Sequence, residues 1–126
     1  MRGLSLAVVG AAHPNKRGPT RVFGIGLCRP GDPIELRREP KNPKDEYAVA
    51  VFAGGIQVGY LQAERAPWIG AMISNGREIE AVFQEPAQYG CVIRVAFDGA
   101  VMELPTPRPK PVADDDFYPD EIYSDE

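Results

Sequence analysis

Histidine is nearly missing from this chain: the only one in 126 residues is His13. Clusters of metal ligands and His-dependent nucleophilic triads therefore lack their parts. Cysteine is almost as scarce. Cys28 and Cys91 stand apart, outside any C-x-x-C spacing. Two thiols or a single disulfide both remain open on that spacing, and neither makes a secreted disulfide scaffold. Long apolar runs are absent too, so no segment is long enough to cross a bilayer. The longest, Leu4 to Ala12 behind Arg2, has the layout of an export signal but sits at its short limit. It is read as the first β-strand, and the protein as cytoplasmic. Paired carboxylates on one face are also missing, so little in the chain points to an enzyme, and no metal or cofactor is expected.

Turns, by contrast, are abundant. Thirteen glycines and thirteen prolines favour short strands over long helices. Apolar and charged contents of 44% and 25% describe a globular chain with one modest core. The charge is unevenly placed. Seven of the eighteen acids fall in residues 113–126, ADDDFYPDEIYSDE, which contain no base. Fourteen bases then face eleven acids in residues 1–112, a net +3. Between body and tail, PTPRPKPV alternates proline with other residues, a composition that favours an extended linker. The expected organisation is a domain over 1–104 and a Pro-rich linker with an acidic, disordered tail over 105–126. The tail is either a solvated end or a polyanion, interleaved with Phe117, Tyr118 and Tyr123, that competes for a basic face.

Strand periodicity recurs along the body. Leu4–Val9 suits a buried strand. RVFGIGLC, residues 21–28, alternates weakly and is read as a strand interrupted by glycine. Its G-x-G lacks the following helix pattern of a phosphate loop. Ile34 and Leu36 lie two apart. Ala48–Phe52 and IQVGYLQ flank a Gly-Gly turn, a hairpin with Ile56, Val58 and Tyr60 expected on one face. In ERAPWIGAMISNG, Pro67 fits a first helical turn. Ile69, Met72 and Ile73 follow at helical spacing, and Asn75-Gly76 ends the helix. EIEAVFQ and CVIRVAF complete the strands. The fold class is mainly β: a small antiparallel barrel of about six strands with one or two short helices.

The most crowded stretch is LRREPKNPKDEYAVAVF, residues 36–52, where bases, acids and prolines surround one turn. Pro43 fixes φ, and Asn42 can bond the backbone across the turn. Asp45 is either a structural turn acid or a ligand group. Arg37 and Arg38 project to opposite faces of a strand, so at most one of them easily lines a groove, while the other faces solvent or pairs with Glu35 or Glu39.

The order of L-R-R-E-P-x-N-P-x-D-x-x-A-V-x-V, then G-Y-L, then a short helix, resembles the HIRAN domain over roughly Leu6 to Phe97, starting with the VVG of Val8–Gly10. That family occurs at the N-terminus of some DNA-repair remodelling ATPases and as small stand-alone bacterial proteins. The resemblance implies an OB-like barrel and binding of single-stranded DNA at a free 3′ end. By position, it implies that Asn42 and Asp45 form the turn receiving the terminal nucleotide, with Tyr60 at the site and Arg37 and Arg38 leading in. Where DNA-binding members carry an arginine and aromatics after the first strand, this chain has Ala11, Ala12, His13 and Pro14. Lys44 stands at an often aromatic position, and Tyr47 replaces a common asparagine. Stacking faces are then expected from Tyr47, Tyr60, Tyr89 or His13, and phosphate attraction from Lys16, Arg17, Arg21 and Lys44. The expected partner is single-stranded DNA or its 3′ end. A protein partner through the tail, or a peptide-binding role for the same barrel, is the alternative.

Overall fold

Six strands and two helices make up about half of residues 3–105, the part that the computed structural model describes. In chain order these are β1 (Leu4–Val9), α1 (Arg21–Gly26), β2 (Pro33–Arg38), β3 (Val49–Ala53), β4 (Ile56–Leu61), α2 (Ala66–Ser74), β5 (Ile79–Ala87) and β6 (Gly90–Phe97). The strands close into an antiparallel barrel in the order β1-β4-β3-β2-β5-β6. The expected barrel is therefore present. The apolar N-terminal run becomes β1, which joins β4 to β6 and closes the barrel. The tail and most of the linker lie outside the described residues.

Alternation sets which side chains fill the interior. Leu6 and Val8 of β1, Val49 and Val51 of β3, Phe83 of β5, and Cys91, Ile93, Val95 and Phe97 of β6 are all buried in one cluster. Ile69 and Met72 of α2 join it, and Trp68 lies against Phe97 with ring centroids 5.8 Å apart. Pro67 occupies the first turn of α2 and Asn75 caps its end, as the residue pattern predicts. Both cysteines are free thiols. Burial pushes the Cys91 thiol up to about 12.

Two local expectations are corrected. Residues 21–26 form a helix, not a glycine-interrupted strand. The Thr20 hydroxyl accepts from Phe23 N at 3.0 Å, which is the N-cap bond that starts a helix. Gly24 then lies so close to Ile56 and Val58 that a Cβ there would meet their side chains. Glycine is present for that close approach, not as a break in a strand. Second, Tyr60 does not share a face with Val58. The β3–β4 register shifts between Val51 and Phe52, and the added residue sends both Val58 and Leu61 into the core. Tyr60 is turned to the side where the crowded turn lies, as its hydrogen bond shows.

Gly59 shows why a glycine precedes Tyr60. Its φ is +153° and a Cβ there would overlap the Val9 carbonyl oxygen of β1. Only a residue without a side chain lets β1 reach β4 at this point.

Candidate functional site

The turn between β2 and β3 is built by its own side chains. Asn42 Oδ1 accepts from Lys44 N at 2.9 Å and from Asp45 N at 3.3 Å. Asp45 Oδ1 accepts from Tyr47 N at 2.9 Å. Backbone bonds from Asn42 N to Glu39 O and from Ala48 N to Asp45 O close the loop on both sides. Asn42 thus performs the turn-forming role expected of it. Asp45 uses one oxygen for the turn, and its second oxygen has no hydrogen-bond partner among the described residues. Asp45 is half-buried, and the bond from Tyr47 N orients its carboxylate.

Glu39 ties this turn to the barrel. Its Oε1 accepts from Asn42 Nδ2 at 3.0 Å and from the Tyr60 hydroxyl at 2.8 Å. Burial pushes the Tyr60 phenol above its ordinary value, and the neighbouring Glu39 carboxylate adds to the rise. On the Tyr60 ring sits the Arg21 guanidinium, 5.4 Å from the centroid. Arg21 also donates to Gly10 O at 2.9 Å and to Asn15 Oδ1 at 2.8 Å. Asn15 in turn donates to the carbonyls of Pro19 and Gln57. A continuous polar chain therefore runs from the loop after β1, through Arg21 and Tyr60, to Glu39 and the turn.

Arg21 corrects the reading of it as one of several free loop cations. It is the only buried charged residue among those described, at 8% exposure. Its charge is used in holding the loop, not offered to solvent. Neither Arg21 nor Glu39 was singled out from the sequence as holding the site together. Tyr60, the partner they share, lies on a remote strand, so no local spacing announces the connection.

The two neighbouring arginines separate as strand geometry requires. Arg37 is on the outer face, paired with Glu35 at 2.6 Å and lying 4.0 Å over the Phe52 ring. Hydrogen bonding to Arg37 holds the Glu35 carboxyl below its ordinary range. Arg38 instead lines a cleft of about 300 Å³ with Tyr47 and with Ala66, Pro67, Gly70 and Ser74 of α2 and its entry. Tyr47 is 57% exposed. Its backbone is the one fixed by Asp45, so the cleft begins where the turn ends. Arg38, Asn42, Asp45 and Tyr47 are thus brought together, with Tyr60 behind them through Glu39. Lys44 is exposed on the same turn.

His13, Lys16 and Arg17 are exposed in the loop after β1, and none of their side chains bonds to the turn among the described residues. They reach the site only through the Gly10–Arg21–Tyr60 connection. Tyr89 is exposed in the β5–β6 turn, next to Gly90, which packs close to Ala11 in that first loop. No group of His, Cys, Asp and Glu that could hold a metal ion occurs among the described residues. No helix among them is long and apolar enough to cross a membrane.

Comparison with known proteins bears on this arrangement. The crystal structure of the HIRAN domain of human HLTF is similar to this chain, with a TM-score of 0.61 and 25% identity, over 76% of this chain and 74% of that one. A crystal structure of a protein from Lactobacillus plantarum shares the fold at a TM-score of 0.57 and 18% identity, over 76% of this chain and 93% of that one. No match was found among curated proteins. The HIRAN domain family model matches residues 6–101, from β1 past the end of β6. By that match the chain belongs to the HIRAN domain family, known as a nucleic-acid-binding domain.

Proposed function

We propose that residues 1–104 are a non-catalytic nucleic-acid-binding module that takes single-stranded DNA and inspects its 3′ end. The observation that carries this reading is the half-committed carboxylate of Asp45. One oxygen is fixed by Tyr47 N, and the other is left for a donor arriving from outside. A terminal 3′-hydroxyl is such a donor. A 3′-phosphate brings only acceptors and negative charge, so it is repelled. Arg38 and Lys44 supply the cations that attract the sugar-phosphate chain, and Tyr47 offers a face for a base in the cleft. A duplex hides its base faces and therefore loses that last contribution, worth roughly 1–3 kcal/mol per stacked base.

Asp45→Asn is the discriminating change. Asparagine keeps an oxygen for Tyr47 N, so the turn survives, but it removes the charge and the second acceptor. A charge-assisted hydrogen bond contributes about 1.5–3 kcal/mol. The wild type should therefore prefer a hydroxyl end over a phosphate end by about tenfold, at ~1.4 kcal/mol per decade. The variant should lose most of that preference while its melting temperature stays close to wild type. Labelled single strands with either end, titrated against both proteins, measure it. Equal affinity for the two ends in the wild type would remove Asp45 from the site. An absence of binding to any single strand at low salt would transfer the cleft to a peptide ligand.

A further inference from the structure

The apolar side chains that α1 leaves uncovered form a patch on the surface. Val22, Phe23 and Leu27 are 62%, 55% and 59% exposed, although Ile25 and Gly24 of the same helix are buried. Phe23 and Leu27 are four residues apart and lie on one side of the helix. Gly26, exposed and with open space where a Cβ would be, leaves a notch beside them. Isolated exposed apolar residues are ordinary, but three within one turn-and-a-half form a contact surface. Val22 and Leu27 offer no ring on which a base could stack, so the patch suits an apolar peptide segment better than a nucleic acid.

The charge around the patch points to its occupant. Residues 1–31 contain five bases, Arg2, Lys16, Arg17, Arg21 and Arg29, and not one acid. In residues 32–112 nine bases meet eleven acids. The basic character of the body therefore belongs to its first 31 residues, with α1 in their midst and exposed Lys16, Arg17 and Arg29 on either side of it in the chain. The matching polyanion is residues 113–126, where seven acids are interleaved with Phe117, Tyr118, Ile122 and Tyr123. Twelve steps along the chain lead from Pro105 to Phe117. At ~3.1 Å per residue for a proline-rich chain they span roughly 40 Å. A domain of about 100 residues has a radius of gyration near 13 Å, so a tether of this length is longer than the domain is wide.

We propose that the acidic–aromatic segment 113–126 of this chain docks on the exposed face of α1. Its apolar side chains cover Val22, Phe23 and Leu27, and its acids lie against Lys16, Arg17 and Arg29. Tethering holds the segment at an effective concentration on the order of millimolar, so even a weak contact is populated. This docking does not depend on the reading of Asp45. It would place seven negative charges beside the loop that leads, through Arg21, to Tyr60 and the turn.

Two full-length variants test it by amide NMR. One carries Phe117→Ser, Tyr118→Ser, Ile122→Ser and Tyr123→Ser. The other carries Phe23→Ser and Leu27→Ser, both at exposed positions. The tail variant should shift the amide resonances of Val22–Leu27, Lys16, Arg17 and Arg29 relative to wild type. The surface variant should in turn shift those of Phe117–Tyr123. Both sets of shifts should be unchanged on tenfold dilution and shrink with added salt. Identical α1 resonances in wild type and tail variant would overturn the proposal. So would shifts that vanish on dilution, which would mean a second copy supplies the segment, or shifts that fall on Arg38–Tyr47 instead of α1.

Discussion

Removing the hydroxyl of Tyr60 tests whether Glu39 joins the turn to the barrel. Tyr60→Phe leaves the ring under Arg21, 5.4 Å from its centroid, and deletes only the 2.8 Å bond to Glu39 Oε1. Hydrogen bonds to charged groups contribute about 1.5–3 kcal/mol, and this half-buried one belongs at the lower end, near ~1.5 kcal/mol. For a domain of this size ~1 kcal/mol moves the melting temperature by about 4–8 °C, so a fall of roughly 6–12 °C is expected. Glu39→Ala should cost more, about 2–3 kcal/mol, because it also orphans the Asn42 amide 3.0 Å away. The decisive quantity is their coupling. The double variant should be about 1–1.5 kcal/mol less destabilised than the sum of the two single changes. Urea unfolding followed by Trp68 fluorescence, with Trp68 packed against Phe97, supplies all three free energies. Additivity within ~0.5 kcal/mol would mean that the two side chains act independently, and the continuous connection from loop to turn would be refuted.

Three further outcomes follow from the same geometry. Arg38→Ala should weaken single-strand binding severalfold and flatten its salt dependence, whereas Arg37→Ala, already paired with Glu35, should leave both nearly unchanged. Equal losses, read by titration at several salt concentrations, would contradict the separation of the two faces. Gly59→Ala should destabilise the barrel by more than about 3 kcal/mol, because the new methyl would overlap the Val9 carbonyl and strand β1 would have to withdraw; a melting curve close to wild type would refute the close approach. The folded-state value of Cys91 is raised to about 12 by burial. Stability from this group is fully present below the ordinary thiol value of the unfolded chain and is lost as pH climbs from there toward about 12. Cys91 should accordingly resist alkylation near pH 8 until the protein unfolds, and rapid labelling of Cys91 in the native state would count against its burial.

Much of this protein was legible in its sequence because the signals were local. The alternation of Ile34 with Leu36, the pair Gly54-Gly55, and Pro67 ahead of Ile69 and Met72 each specify an element within a few residues, and each element is present. Asn42 before Pro43 likewise specified a turn held by its own amide, and the order Arg-Glu-Pro, Asn-Pro-x-Asp, Gly-Tyr-Leu indicated the family. Opposite facing of Arg37 and Arg38 needed only the period of a strand. What the sequence did not contain was distance between remote segments. RVFGIGLC alternates like a strand; the Thr20 cap beside it is a local helix signal, but the contact of Gly24 on Ile56 and Val58 that calls for glycine there lies across the fold. Tyr60 has the parity of Val58, and only the register shift opposite β3 turns it toward Glu39. Arg21 reads as one more loop cation. Its burial depends on the loop after β1, through Gly10 and Asn15, and Tyr60 of β4 converging on it. Local chemistry fixes which turn forms; which charges remain free at that turn is set by the closure of the barrel around it.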